Sequence, residues 1–538
     1  MTDAVQTRLA TPDCDVIVVG AGFAGMYMLH RLRGLGMRAL VIEAGDGVGG
    51  TWYWNRYPGA RCDGESLFYS YSFDDDLQQE WNWTERYARQ PEILAYANHV
   101  ADRFDLRRDI RFDTRVTAAT WDEASLCWSV ETATGDRLTA RHVVLAVGCL
   151  SSPTRPRFAG IGDFRGAVYH TGEWPHEAVD FTGLRVGVIG TGSSAIQAIP
   201  WIARQAEHLT VFQRTPNYVV PAQNRPLDPD AVRETKAHYA ELRALQRSTA
   251  TGNPFDTNPV SALAVSPEER NREYEARWQE GGLVFVASFN DLQISAAANE
   301  TAAEFVRNKI RGIVEDPAVA ELLCPHDALG CKRLCVDTGY FETFNRPNVS
   351  LVDVSKTPID RLTPQGLRVG GTDYAFDAIV FATGFDAMTG SILKIDIRGR
   401  GGVRLRDEWA DGPRTYLGLG VAGFPNLFTI TGPQSPSVLT NMIPTIEQHV
   451  EWIADCLDWL RGRNVLSIEA ERAAQDAWIE HSNDTAERTL RLSCNSWYVG
   501  ANVPGKPRVF MPYIGGMPAY KRKCAAVAAA GYEGFRLA

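Results

Sequence analysis

Two glycine-rich motifs in this sequence have the residue types and the spacing that bind a dinucleotide. The first comprises Gly20, Gly22 and Gly25, directly after an apolar run. In a dinucleotide-binding fold such glycines permit a tight turn, a close approach of backbone to pyrophosphate, and close helix–strand packing. Glu43 lies 18 positions after Gly25, where a carboxylate accepts hydrogen bonds from ribose hydroxyls. The first motif therefore predicts a site for a dinucleotide with a free ribose, such as FAD.

The second motif starts 170 positions after the first and is followed by the opposite charge. Gly190, Gly192 and Ala195 repeat the spacing, and the next apolar run, HLTVFQR, ends in Arg214 instead of an acid. A guanidinium holds a 2′-phosphate that a carboxylate would repel. The second site is therefore predicted to prefer NADP(H).

The elements around these motifs predict an α/β protein with two dinucleotide-binding, Rossmann-like domains. Each motif lies between a buried strand and a helix. Two apolar runs that end in glycine, residues 142–148 and 377–384, flank the second motif, so the chain is expected to cross between the domains twice. We predict an FAD domain formed by residues 1–150 and 384–538. The NADP domain, residues 151–383, is inserted in it and carries a helical insertion at about 228–314.

Composition excludes several classes of function. The net charge of −10 and the lack of a basic run argue against a nucleic-acid partner. The apolar run near the N-terminus is too short to span a bilayer and follows Asp13 and Asp15, so we expect no membrane association and a cytoplasmic location. The ten cysteines contain no CxxC pair, so we expect reduced thiols, no disulfide framework and no metal site, with Cys331 and Cys335 as packing residues.

Six segments together make a more specific identification possible. In order along the chain they are GAGFAG, GGTWYWNRYPGARCD, FRGAVYHTGEWP, GTGSSAIQ, ATGFD and SWYVGANVPGKPR. With them the sequence resembles the type I Baeyer-Villiger monooxygenases over nearly its whole length, and is most similar to the phenylacetone and steroid monooxygenase branch. The family fingerprint FxGxxxHxxxWP is complete. Its positions here are Phe164, Gly166, His170, Trp174 and Pro175.

The resemblance implies an enzyme that uses FAD, NADPH and O₂ to convert aryl, cyclic or bulky ketones to esters or lactones. In the family NADPH reduces FAD, and a C4a-peroxyflavin attacks the ketone. The catalytic arginine of the family corresponds to Arg333, and Asp63 to the acid that holds it in place. Arginine is suited to stabilising the peroxide anion because it does not give up its proton.

The resemblance also implies the remaining site residues. Contacts with FAD are expected from Thr51, Trp52, Asp63, Tyr69 and Met442, beside the first glycine motif and Glu43. Contacts with NADP(H) are expected from Thr191, Ser193, Ser194, Arg214, Thr215, Lys332 and Trp497, the last of these in a mobile loop at about 491–508. The rim of the substrate pocket is expected at Ser437, Val438, Leu439 and Met442.

The fingerprint segment is expected to fix the linker between the two domains. Gly166 supplies the bend, and His170 is either a hydrogen-bonding residue whose position depends on domain orientation or a structural histidine satisfied by backbone.

Other functions compete with this interpretation. A flavin N- or S-monooxygenase shares the two-nucleotide plan, and a flavin- and NADP-binding protein without turnover is a second alternative. A pyridine nucleotide-disulfide reductase lacks its cysteine pair here, and a serine hydrolase lacks GxSxG. The natural ketone, the selectivity, the pathway and the oligomeric state are not determined by the sequence, although a monomer fits it.

Overall fold

The computed structural model describes residues 11–538 as an α/β protein with parallel sheets and many helices. Within these residues the strands are, in chain order, β1 Cys14–Val19, β2 Ala39–Ile42, β3 Ile110–Arg111, β4 Val116–Asp122, β5 Cys127–Thr132, β6 Arg137–Leu145, β7 Ala167–His170, β8 Arg185–Ile189, β9 His208–Gln213, β10 Val219–Pro221, β11 Cys335–Asp337, β12 Val349–Asp353, β13 Ile359–Thr363, β14 Gly366–Val369, β15 Thr372–Ala375, β16 Ala378–Phe381, β17 Asp396–Arg398, β18 Leu427–Thr429, β19 Ile468–Ala470 and β20 Phe535–Leu537.

The helices connect these strands and cover the sheets. The α-helices of the same residues are α1 Phe23–Gly34, α2 Thr51–Trp54, α3 Asp75–Glu80, α4 Gln90–Arg103, α5 Ser193–Gln205, α6 Pro229–Ala237, α7 Tyr239–Ser248, α8 Pro267–Glu280, α9 Ala296–Ile313, α10 Pro317–Leu323, α11 Tyr340–Thr343, α12 Gly390–Leu393, α13 Leu405–Glu408, α14 Met442–Gly462, α15 Arg472–Glu487 and α16 Met517–Ala529. Short 3-10 turns are Ser66–Phe68, Arg107–Asp109, Thr171–Glu173, Gly282–Ala287, Arg400–Gly402, Ser437–Leu439, Leu490–Leu492 and Trp497–Val499.

The largest sheet combines strands from two distant parts of the chain. Its order is β17-β4-β5-β6-β1-β2-β3, and β18 also pairs with β6. Strands β2, β1, β6 and β18 are parallel, as the buried βαβ unit that follows the first glycine turn requires. Because β17 and β18 come from residues beyond 395, the C-terminal part of the chain completes the sheet that the N-terminal part begins.

A second parallel sheet carries the second glycine turn. Its order is β12-β9-β8-β16-β7, with all neighbours parallel. Strand β7 and its partner β16 are the first and last strands of this sheet in chain order, and each lies next to a connection to the larger sheet. The region from 228 to 314 contains helices α6, α7, α8 and α9.

The apolar faces of helices α4 and α14 are buried. Ile93, Ala97 and Val100 of α4 pack in the core of the larger sheet, and Val450 and Ile453 of α14 pack in that same core. Helix α4 starts with proline in its first turn, where a missing N–H costs no hydrogen bond. No helix in the part of the chain that the structure describes has both the length and the apolar character to cross a membrane.

The expectation that all cysteines are reduced was wrong. Cys331 and Cys494 form a disulfide, so they are not reduced packing residues, although the other eight cysteines are free and buried. The two are 163 positions apart, and only the tertiary fold brings their Cα atoms to 6.1 Å. The segment from 49 to 63 contains the one-turn helix α2, and Gly49 and Gly50 provide the positive φ angles from which that turn starts.

Candidate active site

The two predicted catalytic residues form an ion pair between distant segments. Arg333 donates from Nε to Oδ2 of Asp63 at 2.6 Å and from Nη2 to Oδ1 at 2.9 Å. Its Nη1 donates to the carbonyl oxygen of Val438 at 2.7 Å. Three hydrogen bonds on one planar group fix its position and orientation, because a bidentate pair with a carboxylate permits little rotation.

The charges of this pair stabilise one another. Burial opposes ionisation of Asp63, but the Arg333 guanidinium outweighs burial and holds the pKa of that carboxyl below its usual range. Burial likewise disfavours the charged form of Arg333, yet Asp63 raises the pKa of the guanidinium above its ordinary value. The side chains are 27% and 26% exposed, so the pair lies at an accessible face and is not sealed in the core. A permanent cation is therefore presented at a site that ligands can reach.

Lys332 and Arg333 precede strand β11 and contact different partners. Lys332 donates from Nζ to Oδ2 of Asp327 at 2.5 Å, whereas Arg333 binds Asp63. The two cations thus bind separate carboxylates, and the one that Lys332 binds was not anticipated.

The first glycine turn leaves no room for side chains. Gly20 has φ of +103°, and a Cβ there would lie 2.6 Å from the carbonyl oxygen of Ala146. A Cβ on Gly25 would lie 1.8 Å from the carbonyl oxygen of Gly20. Gly22, the N-cap of α1, faces Gly50, so two residues without side chains lie against one another at the start of the helix. The exposed backbone at this helix N-terminus fits the pyrophosphate of a dinucleotide.

Glu43 supports the same turn. Its Oε2 accepts a hydrogen bond from the N–H of Ala21 at 2.6 Å and its Oε1 accepts from Gly45 at 2.8 Å. Burial raises the pKa of Glu43, and these backbone donors oppose that shift. Each carboxylate oxygen can accept a second hydrogen bond. Glu43 thus holds the glycine turn and keeps acceptors for a ribose.

The aromatic loop beside this turn is a packed wall. Trp52 is buried and Tyr69 is partly buried, and their rings meet edge to face, with Trp52 Nε1 donating to the Tyr69 hydroxyl at 3.1 Å. Thr51, which starts the short helix α2, is exposed. Asn441, the N-cap of α14, donates to the carbonyl oxygen of Phe68 at 2.9 Å and brings the adjacent Met442 to this wall. The predicted FAD contacts therefore lie on neighbouring elements.

The second glycine turn repeats the geometry with an open face. Gly190 has φ of +113°, and a Cβ there would lie 2.5 Å from the carbonyl oxygen of Ala382. A Cβ on Gly192 would meet no atom within 4 Å, so the space over this turn is open. Ser193 begins α5 and is exposed, and Ser194 is partly exposed. These residues fit a second dinucleotide at the N-terminus of α5.

Arg214 and its neighbours complete this second site. Arg214 and Thr215 follow strand β9 and are both exposed. Thr191 donates from its hydroxyl to the carbonyl oxygen of Thr215 at 3.0 Å, which ties the glycine turn to the segment that carries Arg214. No carboxylate among residues 11–538 forms an ion pair with Arg214, so its guanidinium is available to an anionic ligand.

His170 connects the two segments at which the chain crosses between the sheets. Its Nδ1 accepts a hydrogen bond from the N–H of Gly172 at 3.0 Å, so the ring proton resides on Nε2. Nε2 lies 3.2 Å from the carbonyl oxygen of Thr154 and 3.1 Å from the hydroxyl of Thr383. Thr383 in turn donates to Thr154 at 2.7 Å. Burial lowers the pKa of His170, so the neutral ring is favoured in this network.

The other fingerprint residues pack around strand β7. Phe164 is buried, and a Cβ on Gly166 would lie 2.4 Å from the carbonyl oxygen of Asp377. Trp174 is buried and stacks on Tyr169 with ring centroids 5.2 Å apart, and Pro175 follows it with partial exposure. The segment is thus packed along β7 and next to β16, the last strand of the second sheet in chain order.

The predicted pocket rim contains both buried and accessible residues. Ser437 is fully buried, with its hydroxyl 3.4 Å from Sγ of Cys149. Val438 is buried and supplies the carbonyl that Arg333 binds, whereas Leu439 and Met442 are partly exposed. The accessible part of this rim next to Arg333 is therefore apolar.

The segment that carries Trp497 is anchored near the second crossing. Lys506 donates from Nζ to Oδ1 of Asp386 at 2.5 Å, and Asn502 donates to the carbonyl oxygen of Phe385 at 2.6 Å. Trp497 is partly exposed and packs beside the buried Tyr498. This places the segment along one side of the candidate site.

Several residues of the site were not found from the sequence. Tyr498 is buried, and the guanidinium of Arg491 lies 5.6 Å from the centroid of its ring. Thr154 and Thr383 are the partners of His170. Thr383 lies in ATGFD and Tyr498 in SWYVGANVPGKPR, but neither motif indicates these contacts, and Thr383 is 213 positions away from His170.

Comparisons with known proteins agree with this geometry. A family model described as pyridine nucleotide-disulphide oxidoreductase matches residues 17–251, which include both glycine turns. The chain is 44% identical over 531 residues to a Baeyer-Villiger monooxygenase from Pseudooceanicola batsensis, covering 98% of this chain and 97% of that protein. It is 43% identical over 527 residues to a phenazine N-monooxygenase from Lysobacter antibioticus, covering 97% of each.

Solved structures are similar to this chain over nearly its whole length. Oxidised steroid monooxygenase bound to NADP has a TM-score of 0.93 and 55% identity, covering 97% of this chain and 99% of that one. OTEMO in complex with FAD and NADP has a TM-score of 0.95 and 41% identity, covering 98% of this chain and 100% of that one.

Proposed function

Because the chain belongs to the Baeyer-Villiger monooxygenases, which use FAD and NADPH to convert ketones to esters or lactones, we propose that Arg333 and Asp63 form its catalytic pair. The observation that carries this proposal is the bidentate contact between them, with Val438 as a third partner. It supplies a cation that keeps its proton and has one orientation, beside an accessible apolar rim.

Arg333 retains hydrogen-bonding capacity for the reaction. A guanidinium has five N–H groups, and three of those on Arg333 are occupied by Asp63 and Val438. The remaining two, one on each terminal nitrogen, can donate to oxygen atoms that become negatively charged during oxygen transfer. Since these donors are oriented before the reaction starts, stabilising that charge requires little reorganisation.

FAD and NADPH fit the two glycine turns. When bound, FAD reduced by NADPH activates O₂ for transfer to the ketone. Glu43 and the first turn hold FAD through its ribose and pyrophosphate, with Trp52 and Tyr69 beside it. Ser193, Ser194, Thr215 and Arg214 hold NADPH, together with Thr191 and the glycines of the second turn.

The surroundings of Arg333 favour an uncharged, bulky ketone. Leu439 and Met442 are partly exposed apolar residues, and Trp497 lies in the adjacent segment. These side chains exclude water from a bound substrate and contact its hydrocarbon part. We propose aryl, cyclic or bulky ketones as substrates.

The two sheets are proposed to be two domains, with residues 151–383 inserted between 1–150 and 384–538. His170 supports this division because it bonds to Thr154 in the first connection and Thr383 in the second. We propose that it positions the domains and takes no part in the chemistry. A cytoplasmic location, a monomeric state and mobility of the segment at about 491–508 stay predictions.

Product analysis tests the proposed reaction. Purified enzyme with FAD, NADPH and O₂ is supplied with a panel of aryl, cyclic and steroid ketones, and products are identified by mass spectrometry. Esters or lactones that contain one atom of ¹⁸O from labelled O₂ are expected. If NADPH is consumed while no ketone of the panel gains oxygen, the assignment to ketones is wrong.

A second candidate function is N-oxygenation, which the similarity to a phenazine N-monooxygenase favours. An electrophilic oxidant is required for that reaction, whereas the cation at Arg333 favours an anionic one. Phenazine and a thioether are therefore included in the panel. Formation of N-oxide faster than ester, with Arg333→Ala still active on phenazine, would assign the chain to N-oxygenation.

A further inference from the structure

The disulfide between Cys331 and Cys494 joins two segments of the candidate site. Cys331 directly precedes Lys332 and Arg333, and Cys494 is three positions before Trp497. Only the folded chain brings the cysteines together, since they are 163 positions apart. The bond is therefore a covalent connection between the segment that holds both cations and the segment that carries Trp497.

This disulfide is accessible from one side. Cys331 is 1% exposed, whereas Cys494 is partly exposed, so a thiol or peroxide can reach the Cys494 sulfur. The other eight cysteines are all buried and free. Redox reagents are therefore expected to act first at this pair, because exposure controls the reactivity of cysteine.

One charged residue next to the disulfide, Lys332, belongs to the predicted NADP site. A carboxylate oxygen of Asp327 and both sulfur atoms lie within 4.8 Å of one another. Lys332, which is expected to contact NADP(H), donates to that same Asp327. Movement of Cys331 would therefore shift the backbone that presents Lys332 and Arg333.

Noncovalent contacts hold the two ends of the segment that carries Trp497. Its far end is fixed by Lys506, which binds Asp386 and is 10% exposed at its side chain. Its near end has a backbone hydrogen bond from Leu490 to Gln293 at 2.9 Å. Asn502 provides a further tie, to the carbonyl oxygen of Phe385. Breaking the disulfide would leave the residues between Leu490 and Asn502 with more freedom, because a cross-link removes conformational entropy from the chain it closes.

We propose that the Cys331–Cys494 disulfide is a redox-controlled tether that holds the Trp497 segment against the Lys332–Arg333 segment. In the oxidised protein the tether keeps both sides of the NADP(H) site together, and reduction weakens NADP(H) binding. The second statement rests on the proposed function, whereas the existence and mechanical effect of the tether do not.

The oxidant that closes the tether is a peroxide and the reductant that opens it is a dithiol. The Cys494 thiol loses its proton and, as the thiolate, attacks hydrogen peroxide; the O–O bond breaks and the departing hydroxide takes up that proton, so that a sulfenic acid and one water form. The Cys331 thiolate then attacks that sulfur and releases the second water. In total, two thiols and one H₂O₂ give one disulfide and two waters, so the sulfurs lose the two electrons that the peroxide gains. A dithiol reverses the bond by two exchange steps and is itself oxidised to a disulfide.

The first test examines the bond and its mechanical effect without using activity. Holoenzyme is alkylated with and without prior dithiothreitol, digested, and searched for the Cys331–Cys494 peptide. Trypsin cleavage after Arg491, which lies between the ties at Leu490 and Asn502, is then timed on native protein. We expect the linked peptide before reduction and cleavage at least threefold faster after it. Absence of the linked peptide after peroxide treatment, or cleavage at an unchanged rate, would overturn the tether.

The second test measures NADP⁺ binding to holoenzyme by titration of protein fluorescence, with Cys494→Ser as the matched control. Reduction is expected to raise the dissociation constant of the wild type at least threefold, and H₂O₂ should restore it. The Cys494→Ser variant should bind as the reduced wild type does and should not respond to dithiothreitol. An equal response of the variant would overturn the proposal, since dithiothreitol would then act elsewhere. If the tether changes proteolysis and NADP⁺ binding while no ketone is oxygenated, the proposed function fails and the tether stands.

Discussion

Replacing Asp63 with asparagine removes the charge that holds Arg333 and keeps the size of the side chain. In the structure both carboxylate oxygens accept hydrogen bonds from the guanidinium, at 2.6 and 2.9 Å. Asparagine offers only one oxygen acceptor, and its amide group is a donor that faces another donor. The variant therefore keeps at most one of the two contacts, and the orientation of Arg333 is determined mainly by Val438.

The expected magnitude follows from the geometry of the pair. Unit charges about 4 Å apart interact by about 4 kcal/mol at an effective dielectric constant of roughly 20. Both side chains are about one-quarter exposed, so solvent and the remaining hydrogen bond offset part of this loss. We expect about 1.4 to 2.8 kcal/mol of lost transition-state stabilisation, which lowers kcat by about ten- to a hundredfold.

The assay compares kcat, KM for NADPH and bound FAD in the wild type, Asp63→Asn and a matched control. The control is Glu65→Gln, because Glu65 also binds an arginine, Arg86, through two hydrogen bonds at 2.6 and 3.0 Å and lies two positions away. We expect kcat to fall only in Asp63→Asn, with FAD retained and KM for NADPH nearly unchanged. An equal loss in both variants, or undiminished kcat in Asp63→Asn, would refute the catalytic role of the pair.

Three further predictions concern residues at other positions. His170→Ala should retain FAD while the share of NADPH that yields peroxide instead of ester rises several-fold, measured by peroxide assay beside product analysis; loss of FAD in step with activity would contradict a positioning role. Arg214→Gln should raise KM for NADPH by about ten- to a hundredfold because one charge-assisted contact is lost, and KM for NADH, the internal control, should stay the same; a parallel rise for both would place Arg214 outside the phosphate site. The free energy of unfolding should decrease as the pH is lowered from about 6.5. Burial lowers the pKa values of His142 and His449 from 6.5 to about 3, and between these two pH values the unfolded chain binds protons that the folded chain does not. Each histidine contributes a slope of about 1.4 kcal/mol per pH unit, and denaturant unfolding of His449→Gln should show a shallower decline than the wild type.

The local parts of the fold could be predicted because short-range sterics determine them. Strands β1 and β8 each end in a run of apolar residues, and the glycine turns after them admit no Cβ at Gly20, Gly25 or Gly190. The apolar spacing of α14 likewise matches its buried face. Such patterns depend on neighbours within a few positions, so they are readable in one sequence.

The chemical class of the protein was also determined by the sequence, through the complete fingerprint and the order of its motifs. This information lies in the residues themselves and needs no coordinates. The fingerprint did not reveal what its histidine contacts. Thr154 and Thr383, which bind His170, are 16 and 213 positions away from it.

Only the tertiary structure decided how the site is assembled. Asp63 and Arg333 are 270 positions apart, the Val438 carbonyl comes from a third segment, and Cys331 meets Cys494 across 163 positions. Such contacts depend on the path of the whole chain, because the packing of two sheets and their helices determines which distant segments meet. The sequence therefore determined which chemical groups are present and the turns that expose them, whereas the fold determined which of those groups hold one another in place.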